Sequence, residues 1–74
     1  MEKIQLQGMG MVDAILAKDI KVGDTLVWNY GYTSSVRKIV KETPKQIVIN
    51  ELCEDGNLYE RRLGKSRLVG IKIK

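Results

Sequence analysis

Turn signals fall at near-regular intervals along this chain, and no other feature constrains its fold as much. Gly23-Asp24, Asn29-Tyr30-Gly31, Thr43-Pro44-Lys45, Glu54-Asp55-Gly56-Asn57 and Gly64-Lys65-Ser66 divide it into segments too short for a substantial helix. Glycine reaches positive φ without a Cβ clash, and proline fixes φ while removing a donor, so each cluster is a reversal point. The segments between them alternate. From Thr25 to Tyr30, Leu26, Trp28 and Tyr30 share one side, and Thr25, Val27 and Asn29 the other. Gln46 to Cys53 sets Ile47 and Ile49 against Val48. A two-residue period rich in β-branched and aromatic side chains is that of a half-buried strand. Thr33 to Thr43 breaks step between Val36 and Ile39-Val40, which predicts a bulge near Arg37-Lys38. Leu58–Leu63 and Leu68–Ile73 read as the last two strands. The stretch Ile20–Val40, a turn, a strand, a tight connection and a second strand, holds the only Trp and two of the three Tyr, and organises the rest.

The front of the chain is less regular. Ile4 and Leu6 alternate with Lys3, Gln5 and Gln7 until Gly8-Met9-Gly10 interrupts. Residues 1–10 are expected as a flexible arm or an edge strand, with 11–74 as the folded domain. In Met11–Ala17, Val12, Ile15 and Leu16 fit a helical face or a strand with one irregularity; the shortness of the segment favours the strand. Lys18-Asp19-Ile20-Lys21 reads as a tight helical turn, with Asp19 as its cap and Ile20 and Val22 turned inward. Asp24 is expected to bond turn amides. A chain of 74 residues makes one small domain. A small sheet must hide its edges, and curling until it closes removes them. The expected fold is therefore all-β: a small barrel of five to six short antiparallel strands with one short helical turn.

Composition removes whole classes of chemistry. The chain has no His, hence neither the usual general base near neutral pH nor the commonest metal ligand. Its one Cys, Cys53, can form no internal disulfide and no zinc site alone, which suits a reducing cytoplasm. Glu51, Glu54 and Asp55 beside it would raise its pKa, so Cys53 reads as a small apolar residue in or near the core. Asp13, Asp19 and Asp24 match no calcium loop, and Gly8-x-Gly10 lacks the parts of a phosphate loop. No cofactor and no metal are expected. No apolar run has the length to cross a bilayer, and the first residues lack the build of a signal peptide, so the chain reads as cytoplasmic.

The segment Ala17-x-Asp19-Ile20-x-Val22-Gly23-Asp24, followed by a strand, a Gly and Val36-x-x-Ile39, resembles SH3-like small β-barrels. With Trp28-Asn29-Tyr30-Gly31-Tyr32 and Tyr59-Glu60-Arg61-Arg62, the chain is similar to short proteins of phages and prophages of Gram-positive bacteria. That resemblance spans roughly Met11 to Ile71 and implies an SH3-like barrel without a settled activity. The Gly-Asp turn and the later Val-x-x-Ile are also shared with the KOW-type barrels of ribosome and transcription proteins. The opening resembles Hint domains too, but autoprocessing there needs a leading Cys or Ser and a His, which this chain lacks.

The formal net charge is +4, concentrated at the end: Arg61, Arg62, Lys65, Arg67, Lys72 and Lys74 stand against the single acid Glu60 from Asn57 onward. Around a hairpin, Arg61 and Arg67 are expected on one face with Lys65 at the turn, and Arg37, Lys38 and Lys41 extend it. Such a face meets phosphates as positioning contacts; it is also what an ordinary solvated surface looks like. Trp28 is expected in the core. Tyr30 and Tyr32 flank Gly31 at a strand end, where an exposed ring can stack on a base or hold a peptide. The expected function is non-enzymatic, sequence-tolerant nucleic-acid binding, with Arg61, Arg62, Lys65 and Arg67 on phosphates and Tyr30, Tyr32 and Tyr59 stacking. The alternative is a protein-interaction module, such as a phage assembly part or an inhibitor of a host protein.

Overall fold

The computed structural model describes residues 2–73. Seven strands follow one another: β1 (Glu2–Leu6), β2 (Gly10–Leu16), β3 (Thr25–Val27), β4 (Thr33–Glu42), β5 (Gln46–Cys53), β6 (Leu58–Gly64) and β7 (Leu68–Lys72). Two 3₁₀ turns, Ala17–Asp19 and Asn29–Gly31, lie on either side of β3. The strands form a single antiparallel sheet of order β1-β2-β7-β3-β4-β5-β6. The all-β class that the turn spacing predicts is what forms. No helix among the described residues is long and apolar enough to cross a membrane.

The expected closed barrel of five to six strands is corrected: the described residues form seven strands, and the sheet is open, with β1 and β6 as its edges. The reason lies in the first residues. β1 pairs with β2 from Glu2↔Ala14 to Leu6↔Gly10, so over Gly10–Ala14 the edge of β2 away from β7 is already occupied. The gap between β2 and the end of β6 is spanned by turn contacts instead. Ala17 N donates to Arg67 O at 2.8 Å, and Lys18 N to Lys65 O at 3.2 Å.

The sheet nevertheless curls around a core. β4 carries two register shifts, Val36/Lys38 and Ile39/Lys41, the first at the bulge that broken alternation predicts. Bulges bend a strand and sharpen its twist. The bent sheet gathers Leu26, Val36, Ile47, Ile49, Leu63 and Val69 from β3 to β7 into one cluster, covered by Ala17 and Ile20. Ile15, Trp28 and Ile39 pack at its margin.

Local corrections follow from turn geometry. Lys21 N donates to Asp24 Oδ2 at 2.8 Å and Asp24 N to Lys21 O at 3.1 Å, so Val22-Gly23 forms the tip of a tight turn. Gly23 takes φ 98° there, and Val22 is consequently exposed rather than turned inward. Asp19 makes no cap bond. β3 stops at Val27, short of the expected Tyr30, because Tyr30 adopts φ 64°, which no strand accommodates.

Candidate functional site

On β5 and β6, odd-numbered residues share one face, because the register pairs Ile47 with Leu63, Ile49 with Arg61 and Glu51 with Tyr59. Near the β4–β5 hairpin this face is apolar core. Toward the β5–β6 turn it becomes aromatic and charged. There it meets the β3–β4 connection, and the two enclose a groove of ≈ 500 Å³ open to solvent. Trp28, Tyr32 and Tyr59 supply its rings, Glu51, Arg61 and Cys53 its base, and Glu54 and Asp55 its rim.

The base is an interlocked set. Glu51 is fully buried, and Arg61 Nε donates to its Oε2 at 2.6 Å. The guanidinium lies 4.0 Å from the centroid of the Trp28 ring, within cation–π range. Trp28 Nε1 in turn donates to Ser34 Oγ at 3.0 Å. Trp28 thus holds Arg61 in place as well as packing on the core margin. Among the described residues, the terminal Nη groups of Arg61 make no hydrogen bond, and the side chain is 39% exposed. They are donors available to whatever enters.

Cys53 Sγ donates to Glu51 Oε1 at 3.4 Å. Burial pushes this thiol above its ordinary pKa, and the Glu51 hydrogen bond and charge push it further. A raised pKa leaves less thiolate, the reactive form. Iodoacetamide at pH 8 is therefore expected to alkylate Cys53 several-fold more slowly in the folded protein than in the same chain in denaturant. A folded-state rate equal to the denatured one would contradict the Glu51–Cys53 contact.

The rim is organised by hydrogen bonds. Tyr59 donates its hydroxyl to Asp55 Oδ2 at 2.6 Å, Asn57 N donates to Asp55 Oδ1 at 2.9 Å, and Thr33 Oγ1 donates to Glu54 Oε1 at 3.3 Å. The Tyr59 hydroxyl, with the Asn57 amide, holds Asp55 below the usual carboxylate range, and the same bond raises the Tyr59 phenol. Neither Glu54 nor Asp55 forms an ion pair among the described residues.

The residues expected to act together are dispersed. Arg61 lies in the groove, held by Glu51. Arg62, its neighbour, points to the other face of the sheet, opposite Val48, which is itself opposite Lys41. Lys65 is joined to Glu42 at 2.9 Å, and Arg67 is exposed in the β6–β7 turn. Tyr32 and Tyr59 are exposed on the groove. Tyr30 is elsewhere: its amide donates to Gln7 O at 2.6 Å, and its ring covers Gly8 so closely that a Cβ there would sit 2.6 Å from Tyr30 Cδ1. Asp13 pairs with Lys3 at 3.0 Å, and no group of three His, Cys, Asp or Glu is placed to hold a metal among the described residues.

Sequence reasoning missed Glu51, Glu54 and Asp55 as parts of a site. For Glu51 a signal existed: it occupies the same strand phase as Ile47 and Ile49, and an acid on an inward phase needs a cationic partner. No family model, curated protein or solved structure matches this chain.

Proposed function

We propose that this chain is a non-enzymatic protein-interaction module whose groove takes an extended segment of a partner protein. The observation that carries this reading is the pairing of an aromatic lining with an acidic rim. Exposed Tyr and Trp rings with a partly buried Arg are what anchors protein interfaces. Aromatic-lined grooves also suit extended peptides, whose backbone carbonyls remain free to accept. The Nη donors of Arg61 are suited to such a carbonyl, because Glu51 already balances the Arg61 charge. Glu54 and Asp55 would repel a phosphate backbone at this place, so stacking of nucleic-acid bases on Tyr32 and Tyr59 is disfavoured. The thiol in the groove is held protonated by its surroundings, which supports binding rather than catalysis. The meander from β3 to β6, with β7 returning beside β3, supports reading the sheet as an opened relative of the SH3-like barrel.

Selection from a display library of short random peptides tests the reading. The wild-type chain is expected to enrich peptides that bind with 1:1 stoichiometry. Tyr32→Ala and Tyr59→Ala are each expected to weaken the selected peptides by about tenfold, the effect of losing an anchor of about 1.4 kcal/mol. Both rings are exposed, so the melting temperature should move little. Peptides that bind the double variant as tightly as the wild type would sink the proposal.

A further inference from the structure

The β5–β6 hairpin has opposite charge at its two ends. The groove and its acids occupy one. At the other, three backbone hydrogen bonds draw separate parts of the chain together: Lys65 N to Lys45 O at 2.8 Å, Lys18 N to Lys65 O at 3.2 Å, and Ala17 N to Arg67 O at 2.8 Å. Lys18, Lys45 and Arg67 are all exposed there, and none forms an ion pair among the described residues. Around the corner, on the outward face of the sheet, Lys41, Val48 and Arg62 stand in one cross-strand row. Two strand spacings set the backbones of Lys41 and Arg62 about 10 Å apart. Val48 between them is buried although it faces outward. Asp19, Glu42 and Glu60 are the acids on the neighbouring positions, and Glu42 is engaged by Lys65.

We propose that Lys18, Lys41, Lys45, Arg62 and Arg67 form a second binding surface, separate from the groove, that docks the backbone of a nucleic-acid duplex without reading its sequence. Charge complementarity carries the choice of partner, and the absence of anything else on this surface sharpens it. All three Tyr and Trp28 lie elsewhere, so it has no ring on which an unpaired base could stack, and a single strand gains nothing extra here. Val40 is exposed beside Lys41, while the exposed Leu58 and Tyr59 of β6 lie at the other end of that strand, by the β5–β6 turn; one valine is too little to anchor the surface in a membrane or seat it in a protein interface. A duplex needs neither: closely spaced phosphates meet separated cations, and released counterions drive the association. With the groove at the opposite end, the chain would hold a partner protein and a duplex at once.

Titration of a short mixed-sequence DNA duplex between about 50 and 200 mM salt, with the corresponding single strand and anionic vesicles as competitors, tests this. The expected result is binding that weakens steeply with salt, with a log–log slope of about −4 if most of the five cations engage. The triple variant Lys18→Gln/Lys45→Gln/Arg67→Gln should flatten that slope by about 3, while keeping the fold, since all three side chains are exposed. Tyr32→Ala should leave duplex binding unchanged, which separates this surface from the groove whichever way the groove reading falls. Tighter binding to the single strand or to vesicles, an unaltered slope in the triple variant, or no duplex binding at the lowest salt would each overturn the proposal.

Discussion

Gly70→Ala is expected to lower the melting temperature by about 12–24 °C, the equivalent of about 3 kcal/mol in a domain of this size. Gly70 lies in β7, an interior strand of the sheet, paired with Ala14 of β2 on one side and Val27 of β3 on the other. A Cβ at this position would lie 2.6 Å from the carbonyl oxygen of Val27, 3.2 Å from Val12 Cγ2 and 3.3 Å from Leu6 Cδ1. The side chains can yield by a few tenths of an ångström. The oxygen belongs to the backbone and can yield only if β3 separates from β7. Since β3 is three residues long, little of its ladder would survive. The loss is a large share of the total, because a chain of 74 residues has about 4–11 kcal/mol of stability altogether. Gly64→Ala is the control: nothing lies within 4 Å of its added Cβ, so its melting temperature should stay within a few degrees of wild type. Thermal denaturation followed by circular dichroism reads both. Equal melting temperatures for the two variants would refute the close approach of β3 and β7.

Gly70 also shows which parts of the fold were legible in the sequence. It sits inside an apolar run, Leu68-Val69-Gly70-Ile71, which marks the strand correctly; its role depends on a backbone oxygen more than forty positions away in the chain. Local signals carried the strands from β4 onward, because turn chemistry and two-residue periodicity act within a few residues. The bulge after Val36 was legible for the same reason: it disturbs the alternation itself. What depends on long-range pairing was not legible. Closure of the sheet turned on whether Glu2–Leu6 would occupy the free edge of β2, and five residues of weak alternation do not specify their partner.

The candidate binding residues divided along similar lines. Clustering in sequence suggested that Arg61, Arg62, Lys65 and Arg67 act as one group, but adjacent residues on a strand face opposite ways, so Arg61 and Arg62 could not share a surface. Tyr32 and Tyr59 belong together only because the β3–β4 connection and the β5–β6 hairpin meet at one end of the sheet. The inward phase of Glu51 and the basic phase of Arg61 could have been matched from sequence, given the hairpin register that the Glu54–Asn57 turn imposes.

That match has the second large consequence. Arg61→Ala is expected to cost about 3–5 kcal/mol, because it leaves the carboxylate of Glu51 fully buried without its cation. Cys53 would be its one remaining side-chain donor, and a thiol is a weak one. The reverse change should be milder. Glu51→Gln leaves Arg61 charged but 39% exposed, able to turn its guanidinium to water, and a loss of about 1 kcal/mol is the expectation. Urea titrations of the two variants measure this, and an Arg61→Ala loss no larger than that of Glu51→Gln would show that Glu51 is not isolated in the way its burial implies. The double variant Glu51→Leu/Arg61→Leu removes both charges and should recover much of the lost stability. It also removes the donors at the base of the groove. A double variant that melts near wild type yet no longer holds the selected peptides would separate the two roles of the pair: to keep the end of the sheet folded, and to present a neutralised set of hydrogen-bond donors beneath the Trp28, Tyr32 and Tyr59 rings.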